Sequence, residues 1–206
     1  MLEKFCYINW VQAREDIANQ IETLFLSNNQ QKRYAHINAV TKRIDTIALE
    51  YGLDREKCRV SALLHDVSTL LKWEDMLLYA TDNNWELCSA EMSHPFLLHQ
   101  RISEVIACED FDILDEDVLN AIAFHTTLRE NPTQYEMALF VADKLEWSPG
   151  GEPPYYKQMM DGLNVSLEAA CYEYVKYNED SGNMASIHSD YVKAIKWLKE
   201  VMLWNV

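Results

Sequence analysis

Val60-Ser-Ala-Leu-Leu-His65-Asp66-Val67 decides how this chain is read. It is an apolar run without period-two alternation, preceded by Asp54-Arg-Glu-Lys, in which Asp54 is a good N-cap, so it reads as a buried helix. Successive helical residues lie about 100° apart at about 3.6 residues per turn, so His65 and Asp66 cannot share a face. They can take neighbouring positions around one six-coordinate ion. A charged pair at the end of a buried element needs a compensating partner, and a metal ion is one. The competing reading is a hydrogen-bonded core histidine followed by a helix-end aspartate.

Outward from this stretch the pattern stays helical. Upstream, Ala35, Ala39, Val40, Ile44, Ile47 and Ala48 recur at helical spacing over residues 30–51, with His36 on or beside the stripe and Gly52 as the C-terminal stop. Trp10, Ile17, Ile21, Leu24 and Phe25 predict an amphipathic helix over residues 9–26, broken by Ser27-Asn-Asn-Gln. Downstream, residues 73–79 form a helix, and a further one beyond Pro95 carries Leu98, Ile102, Val105 and Ile106, with His99 one turn in. Asp115 caps Val118-Leu-Asn-Ala-Ile-Ala-Phe-His125, and Thr133-Gln-Tyr-Glu136 is a capping box before Met137-Ala-Leu-Phe-Val-Ala. Asp143 lies well inside that last apolar helix, where an unpaired charge would cost several kcal/mol. Ser148-Pro-Gly-Gly-Glu-Pro-Pro is a linker, and helices follow near residues 167–177 and 189–203. The fold class is all-α: one helical domain over residues 29–206 with an N-terminal helical extension over 1–28.

Acidic residues (33) exceed Lys plus Arg (18) in the 206 residues, a formal net charge of -15. That opposes nucleic-acid polymers and anionic membrane surfaces, which need cationic patches, while a small phosphorylated ligand remains accessible if metal ions reverse the field locally. No apolar run approaches the roughly 20 residues of a membrane span. Met1-Leu-Glu-Lys-Phe-Cys-Tyr lacks a signal-peptide core, and the five cysteines show no Cys-x-x-Cys, so they read as reduced, mostly buried thiols of a cytoplasmic protein.

His36, His65, His99 and His125 sit at the ends or inner faces of predicted helices, and with Asp66 and Asp143 they form a set of four imidazoles and two carboxylates. Nitrogen and oxygen donors without thiolate suit Fe, Mn, Co, Ni or Mg, with Zn also admitted, rather than a cysteine-type structural zinc. Six ligands exceed what one open catalytic ion takes from protein, so two ions sharing Asp66 is the economical arrangement. His94 and His188 fall outside the set, as a loop residue and a helix-start residue.

The order of these motifs resembles the HD-domain metal-dependent phosphohydrolases. The local wording resembles the YqeK-type subgroup, associated with symmetrical hydrolysis of diadenosine tetraphosphate at a di-iron centre. The matching pieces are Arg33-Tyr-Ala-His36, Ala62-Leu-Leu-His65-Asp66, His99, Ala121-Ile-Ala-Phe-His125-Thr-Thr and Val141-Ala-Asp143-Lys144-Leu-Glu146. The resemblance implies that His36, His65, Asp66 and Asp143 hold one ion, and that His99 and His125, with Asp66 bridging, hold a second, iron foremost. The chain departs from the subgroup at Thr69, where lysine is usual, at Glu146-Trp-Ser-Pro149, which lacks an arginine, at Ser103-Glu104, where small residues are expected, and at Leu128, where glycine is common.

The expected activity is phosphohydrolysis of a small nucleotide, a dinucleoside polyphosphate such as diadenosine tetraphosphate, by in-line attack of a metal-bridging hydroxide on phosphorus. Asp66 and Arg33 are the catalytic candidates, and Arg33, Arg101, Arg129 and Lys144 the candidate phosphate ligands. Trp73, Trp147 and Tyr155 are candidates to stack on a base, and Glu146 to orient a ligand. Two alternatives stand beside this: a metal-binding sensor or regulatory module with weak turnover, and a phosphohydrolase for a non-nucleotide phosphate ester. Trp197, Met202 and Trp204 make the last helix either a homodimer surface or a cap on the domain's own core.

Overall fold

The computed structural model describes residues 1–10, 16–146, 151–182 and 188–204, and among these it contains helices and no strand. The α-helices are α1 (Ile17–Ser27), α2 (Gln31–Tyr51), α3 (Arg55–Leu64), α4 (Trp73–Asp82), α5 (Ser89–Ser93), α6 (His99–Phe111), α7 (Glu116–Phe124), α8 (Gln134–Leu145), α9 (Tyr156–Leu163), α10 (Leu167–Asp180) and α11 (Ser189–Trp204). Single 3-10 turns stand at Leu2–Lys4, Val67–Leu70 and Pro95–Leu98. No helix among the described residues is long and apolar enough to cross a membrane.

The helix starts follow their caps. Asp54 accepts from the backbone N–H groups of Glu56 and Lys57, Asp115 from those of Asp117 and Val118, and Thr133 from that of Glu136, which satisfies donors that a helix N-terminus leaves orphaned. Only half of the expected capping box at Thr133 forms, because the Glu136 carboxylate turns to Arg129. Gly52 ends α2 at φ 67°, in the left-handed region, with its N–H on the Ala48 carbonyl.

The structure departs from the sequence reading at three places. Asn9 and Trp10 are not helical, and α1 begins at Ile17 behind the Asp16 cap; residues 11–15 of the expected 9–26 helix lie outside the described residues. The short helices α5 and α9 were not anticipated. α9 follows Pro153-Pro154 and packs on α10 closely enough that a Cβ on Gly162 would stand 2.9 Å from the backbone of Ala169 and Ala170. Of the linker, residues 148–150 are likewise outside the description.

Two apolar cores are stacked along α2. One gathers Val40, Ile44 and Ile47 of α2 with α8, α9, α10 and α11. The other gathers Ile37 with Leu2, α1, α4 and α6. Leu2, Ile21 and Phe25 are fully buried, so the N-terminal segment is built into this second core. Helices α3 and α7 serve both: Ala62 and Ala121 face the first core, Leu64 and Ile122 the second. The helix ends that follow, at residues 65 and 125, therefore emerge on the seam between the cores.

Trp197 packs partly buried against the first core and Met202 is half-buried, while the Trp204 side chain is outside the described residues. The five cysteines are free thiols, less buried as a set than expected: Cys58 and Cys171 are buried, Cys88 and Cys108 half-buried and Cys6 exposed.

Candidate metal centre

Five helices deliver the six expected ligands to that seam. His36 comes from the first turns of α2, His65 and Asp66 follow α3, His99 opens α6, His125 follows α7 and Asp143 lies near the end of α8. The imidazoles form a chain, with ring centroids 5.5 Å apart for His36 and His65, 4.9 Å for His65 and His125, and 4.9 Å for His99 and His125.

Each ring is oriented by a backbone carbonyl. Nδ1 of His65 donates to Ala62 O at 2.7 Å, that of His99 to Phe96 O at 2.7 Å, that of His125 to Ile122 O at 2.8 Å and that of His36 to Glu146 O at 2.9 Å. A neutral imidazole that donates through Nδ1 presents the lone pair of Nε2, and all four Nε2 atoms converge on the carboxylates. Asp66 is divided between two groups. Its Oδ2 lies 3.7 Å from His65 Nε2 and 3.9 Å from His36 Nε2, and its Oδ1 lies 3.5 Å from His99 Nε2 and 3.8 Å from His125 Nε2. Asp143 Oδ1 joins the first group, 3.0 Å from His36 Nε2 and 3.8 Å from His65 Nε2.

The electrostatics favour metal-ready protonation states at Asp66, Asp143, His99 and His125, while at His36 burial is outweighed by the hydrogen bond to Asp143 and the charges of Asp143 and Asp66, which raise its pKa. Burial alone would raise the pKa of Asp66, but the imidazoles of His65, His99 and His125 outweigh it and keep the carboxyl below its ordinary value. For Asp143 burial is likewise overcome, by Lys144 and by the hydrogen bond with His36, and the group is held well below the carboxylate range. Burial pushes His99 down, and pushes His125 well down with help from the neighbouring His99 and His65 rings. The fit to a cation shows most directly at His65: its Nε2 is buried and makes no hydrogen bond, an expensive arrangement for a polar atom unless a further partner arrives. Within the centre, the donor atoms of His36, His65 and Asp143, and those of His65, Asp66 and His125, lie within 4.8 Å of one another.

The cations and aromatics expected around the centre divide. Arg33 hydrogen-bonds the carbonyl of Thr69, directly after the His65-Asp66 corner. Lys144 Nζ lies 2.6 Å from Asp143 Oδ2. Arg101 and Arg129, expected at a phosphate, are engaged elsewhere. Arg101 lies 3.0 Å from the buried Glu91 carboxylate with its guanidinium over the Trp85 ring, and Arg129 forms two hydrogen bonds, 2.7 and 2.8 Å, to the fully buried Glu136. Residues 99 and 101 are two steps apart on a helix, hence on opposite faces. Tyr155 is buried between Tyr174 and Tyr177 rather than open to a base, and Trp147 is outside the described residues. Glu146 acts through its carbonyl on His36, while its carboxylate lies 2.7 Å from Arg43 Nε. The carbonyl role of Glu146 carries no signal in its side-chain identity.

An all-helical body that gathers imidazoles and carboxylates from successive helices into a common pocket defines a class of metal-binding hydrolases. This chain belongs to the HD domain family, whose model matches residues 33–148. HD domains bind divalent metals, and the chain is an HD-superfamily hydrolase. It is 31% identical over 150 residues, 71% of this chain and 75% of the other, to the symmetrical bis(5'-nucleosyl)-tetraphosphatase of Staphylococcus aureus. A protein of the same name from Halalkalibacterium halodurans is 30% identical over 153 residues, 68% of this chain and 73% of the other. Among solved structures, an HD superfamily hydrolase from Clostridium acetobutylicum, described as involved in NAD metabolism, superposes with a TM-score of 0.78 at 29% identity, over 89% of this chain and 97% of that one.

Proposed function

We propose that the chain is a di-metal phosphohydrolase that cleaves dinucleoside polyphosphates, diadenosine tetraphosphate foremost. In this reading His36, His65, Asp66 and Asp143 hold one ion, and His99, His125 and the second oxygen of Asp66 hold the other, with iron the first candidate. The single observation that carries it is the division of Asp66, one oxygen toward each pair of imidazoles. The names of the S. aureus and H. halodurans relatives support the substrate class.

When bound, such an ion pair supplies Lewis acidity toward phosphoryl oxygens and lowers the pKa of a bound water toward neutrality. The chain's own residues do the rest. The four backbone carbonyls hold Nδ1 as the donor and turn each Nε2 toward the carboxylates; His36 Nε2, which hydrogen-bonds Asp143, would release its proton on taking an ion. Lys144 anchors the outer oxygen of Asp143 and thereby aims the inner one. Arg33 is the side chain best placed to bind phosphate. Its partner Thr69 O is a neutral carbonyl, so its charge is not spent on a carboxylate as those of Arg101 and Arg129 are.

One observation favours a second reading, a metal-binding module with weak turnover: Arg101, Arg129 and Lys144 are all paired with carboxylates already. Elemental analysis of protein purified without added metal, followed by a phosphatase screen that includes dinucleoside polyphosphates, separates the two. Two equivalents of metal with turnover supports the enzyme, metal without turnover supports the module, and protein that binds no metal removes both.

A further inference from the structure

Beside the metal centre lies a cavity of about 470 Å³ lined by Trp73, Ser93, His94, Pro95, Phe96 and Leu97. We propose that this cavity holds the nucleobase of the substrate, with Trp73 and Phe96 as its stacking surfaces; the proposal rests on the phosphohydrolase reading and assigns the site that selects an aromatic base. Three observations carry it.

The first is continuity with the reacting centre. Phe96 lies face-on against the His99 ring, centroids 4.5 Å apart at 17°, and His99 Nε2 is one of the atoms that converge on Asp66. A ligand resting on the other side of Phe96 is thus separated from the metal centre by a single aromatic layer, and a phosphate chain attached to it starts close to the side chains that would hold the ions.

The second is shape and exposure. The Trp73 and Phe96 rings are 6.0 Å apart and inclined at 58°, an open notch rather than a filled aromatic contact. Trp73 is 58% exposed although it is the first residue of α4, and Phe96 is 39% exposed. Large apolar rings left in water beside a ligand site mark a binding surface rather than a core. A planar heterocycle is the occupant that gains from two ring faces, because base–aromatic stacking is tolerant of the base but demands a flat ligand.

The third is charge. The protein carries a formal charge of -15, yet among the described residues no carboxylate lines this cavity. An anionic nucleotide approaching here meets aromatic faces, a serine and the exposed imidazole of His94, with Ser93 and His94 placed at the rim to hydrogen-bond a base edge.

The test is calorimetric titration of the metal-loaded full chain with AMP and with ribose 5-phosphate, which share the phosphate and sugar and differ by the base. Wild type should bind AMP more tightly, and Trp73→Ala should erase on the order of tenfold of that preference, the range expected for one stacked base, without moving ribose 5-phosphate; Trp73→Phe should restore most of it. The proposal is overturned if AMP and ribose 5-phosphate bind alike to wild type, or if Trp73→Ala weakens both equally. It is also overturned if Trp73→Ala leaves the preference intact but converts a dimer to a monomer in light scattering, which would give the patch to a second copy of the chain. Because the readout is binding, a protein that shows the base preference and hydrolyses no nucleotide would sink the hydrolase reading and leave this one standing.

Discussion

Replacing Asp66 by Asn tests whether one carboxylate serves two ions. The four distances from its oxygens to imidazole Nε2 atoms are 3.5, 3.7, 3.8 and 3.9 Å, two per oxygen. Donors bonded to one ion at about 2.0–2.2 Å stand roughly 3.0–3.6 Å apart for angles between about 90 and 120°. Each pair therefore closes on an ion with a contraction of a few tenths of an ångström. The amide keeps the shape and removes the charge from both positions at once. Loss of a mere outer partner of a ligand weakens metal binding roughly 10- to 100-fold, so loss of a shared anionic ligand should weaken both ions by at least that much. Each ion present at about 1,000 times its dissociation constant stabilises the fold by about 4 kcal/mol, falling to about 1.4 kcal/mol after a 100-fold loss. At roughly 2–4 °C per kcal/mol for a chain of this size, metal should raise the wild-type melting temperature by roughly 16–33 °C and that of Asp66→Asn by roughly 6–11 °C. Asp143→Asn, whose oxygen faces only His36 and His65, should keep about half the effect and one equivalent of metal. Elemental analysis after gel filtration and scanning calorimetry with and without chelator read both quantities. Two retained ions in Asp66→Asn, or equal losses in the two variants, would refute the shared-ligand reasoning.

Three further outcomes follow from the packing. Arg129→Ala strands the fully buried Glu136 carboxylate and should cost about 3–5 kcal/mol in denaturant unfolding, whereas a phosphate ligand would instead raise KM with stability unchanged. Leu128 is fully buried yet sits at φ 54°, in the left-handed region; Leu128→Ala and Leu128→Gly both delete the side chain, but only glycine relieves the backbone, so Leu128→Gly should be the more stable of the two by about 1 kcal/mol. Glu91 is buried, but its contacts with His188, the Cys88 N–H and Arg101 outweigh burial and bring its pKa from 4.5 down to about 2. A depressed folded-state value stabilises above the unfolded pKa, so the stability gap between wild type and Glu91→Gln should be full, at roughly 3 kcal/mol, above pH 4.5 and shrink as pH falls toward 2; a gap independent of pH in urea titrations would contradict it.

The proposed ligand set was legible partly from local signals and partly from the order of motifs that resembles the HD family, which is what drew in His36 and His99. His65 and His125 directly follow capped apolar helices, and Asp143 is a charge inside one. Helix starts at Asp54, Asp115 and Thr133 were equally plain, since a cap is a property of three or four neighbouring residues. What escaped was everything set by tertiary partners. Arg101 and Arg129 look like any cation until Glu91 and Glu136 are seen buried opposite them, and Tyr155 resembles a stacking residue until Tyr174 and Tyr177 enclose it. The five-residue α5 and eight-residue α9 are too short for helical periodicity to declare itself. The glycine expected in place of Leu128 is an intermediate case: the sequence marked the position, and the positive φ gives the reason.

The placement of the histidines also explains how a helical fold prepares an ion site from so few residues. Three of the histidines turn Nδ1–H to a carbonyl at the same spacing in the turn before them: His65 to Ala62, His99 to Phe96 and His125 to Ile122, each three residues back; the Phe96 and Ile122 carbonyls also accept the histidine's own backbone N–H. A carbonyl has two lone pairs, so the Nδ1–H can take one beside a backbone donor, and the bond fixes the tautomer whose other nitrogen points away from the helix. His36, in the early part of α2, has no such carbonyl of its own and takes that of Glu146 instead. The orientation of that one ligand thus depends on where α8 ends, a link between the first and last metal-facing helices. Glu146→Pro, which redirects the chain at that carbonyl, should misorient His36 and weaken the ion it shares with Asp143 while sparing the ion at His99 and His125. Metal stoichiometry falling to one rather than zero is the expected result, and an unchanged stoichiometry would show that His36 is held by Asp143 alone.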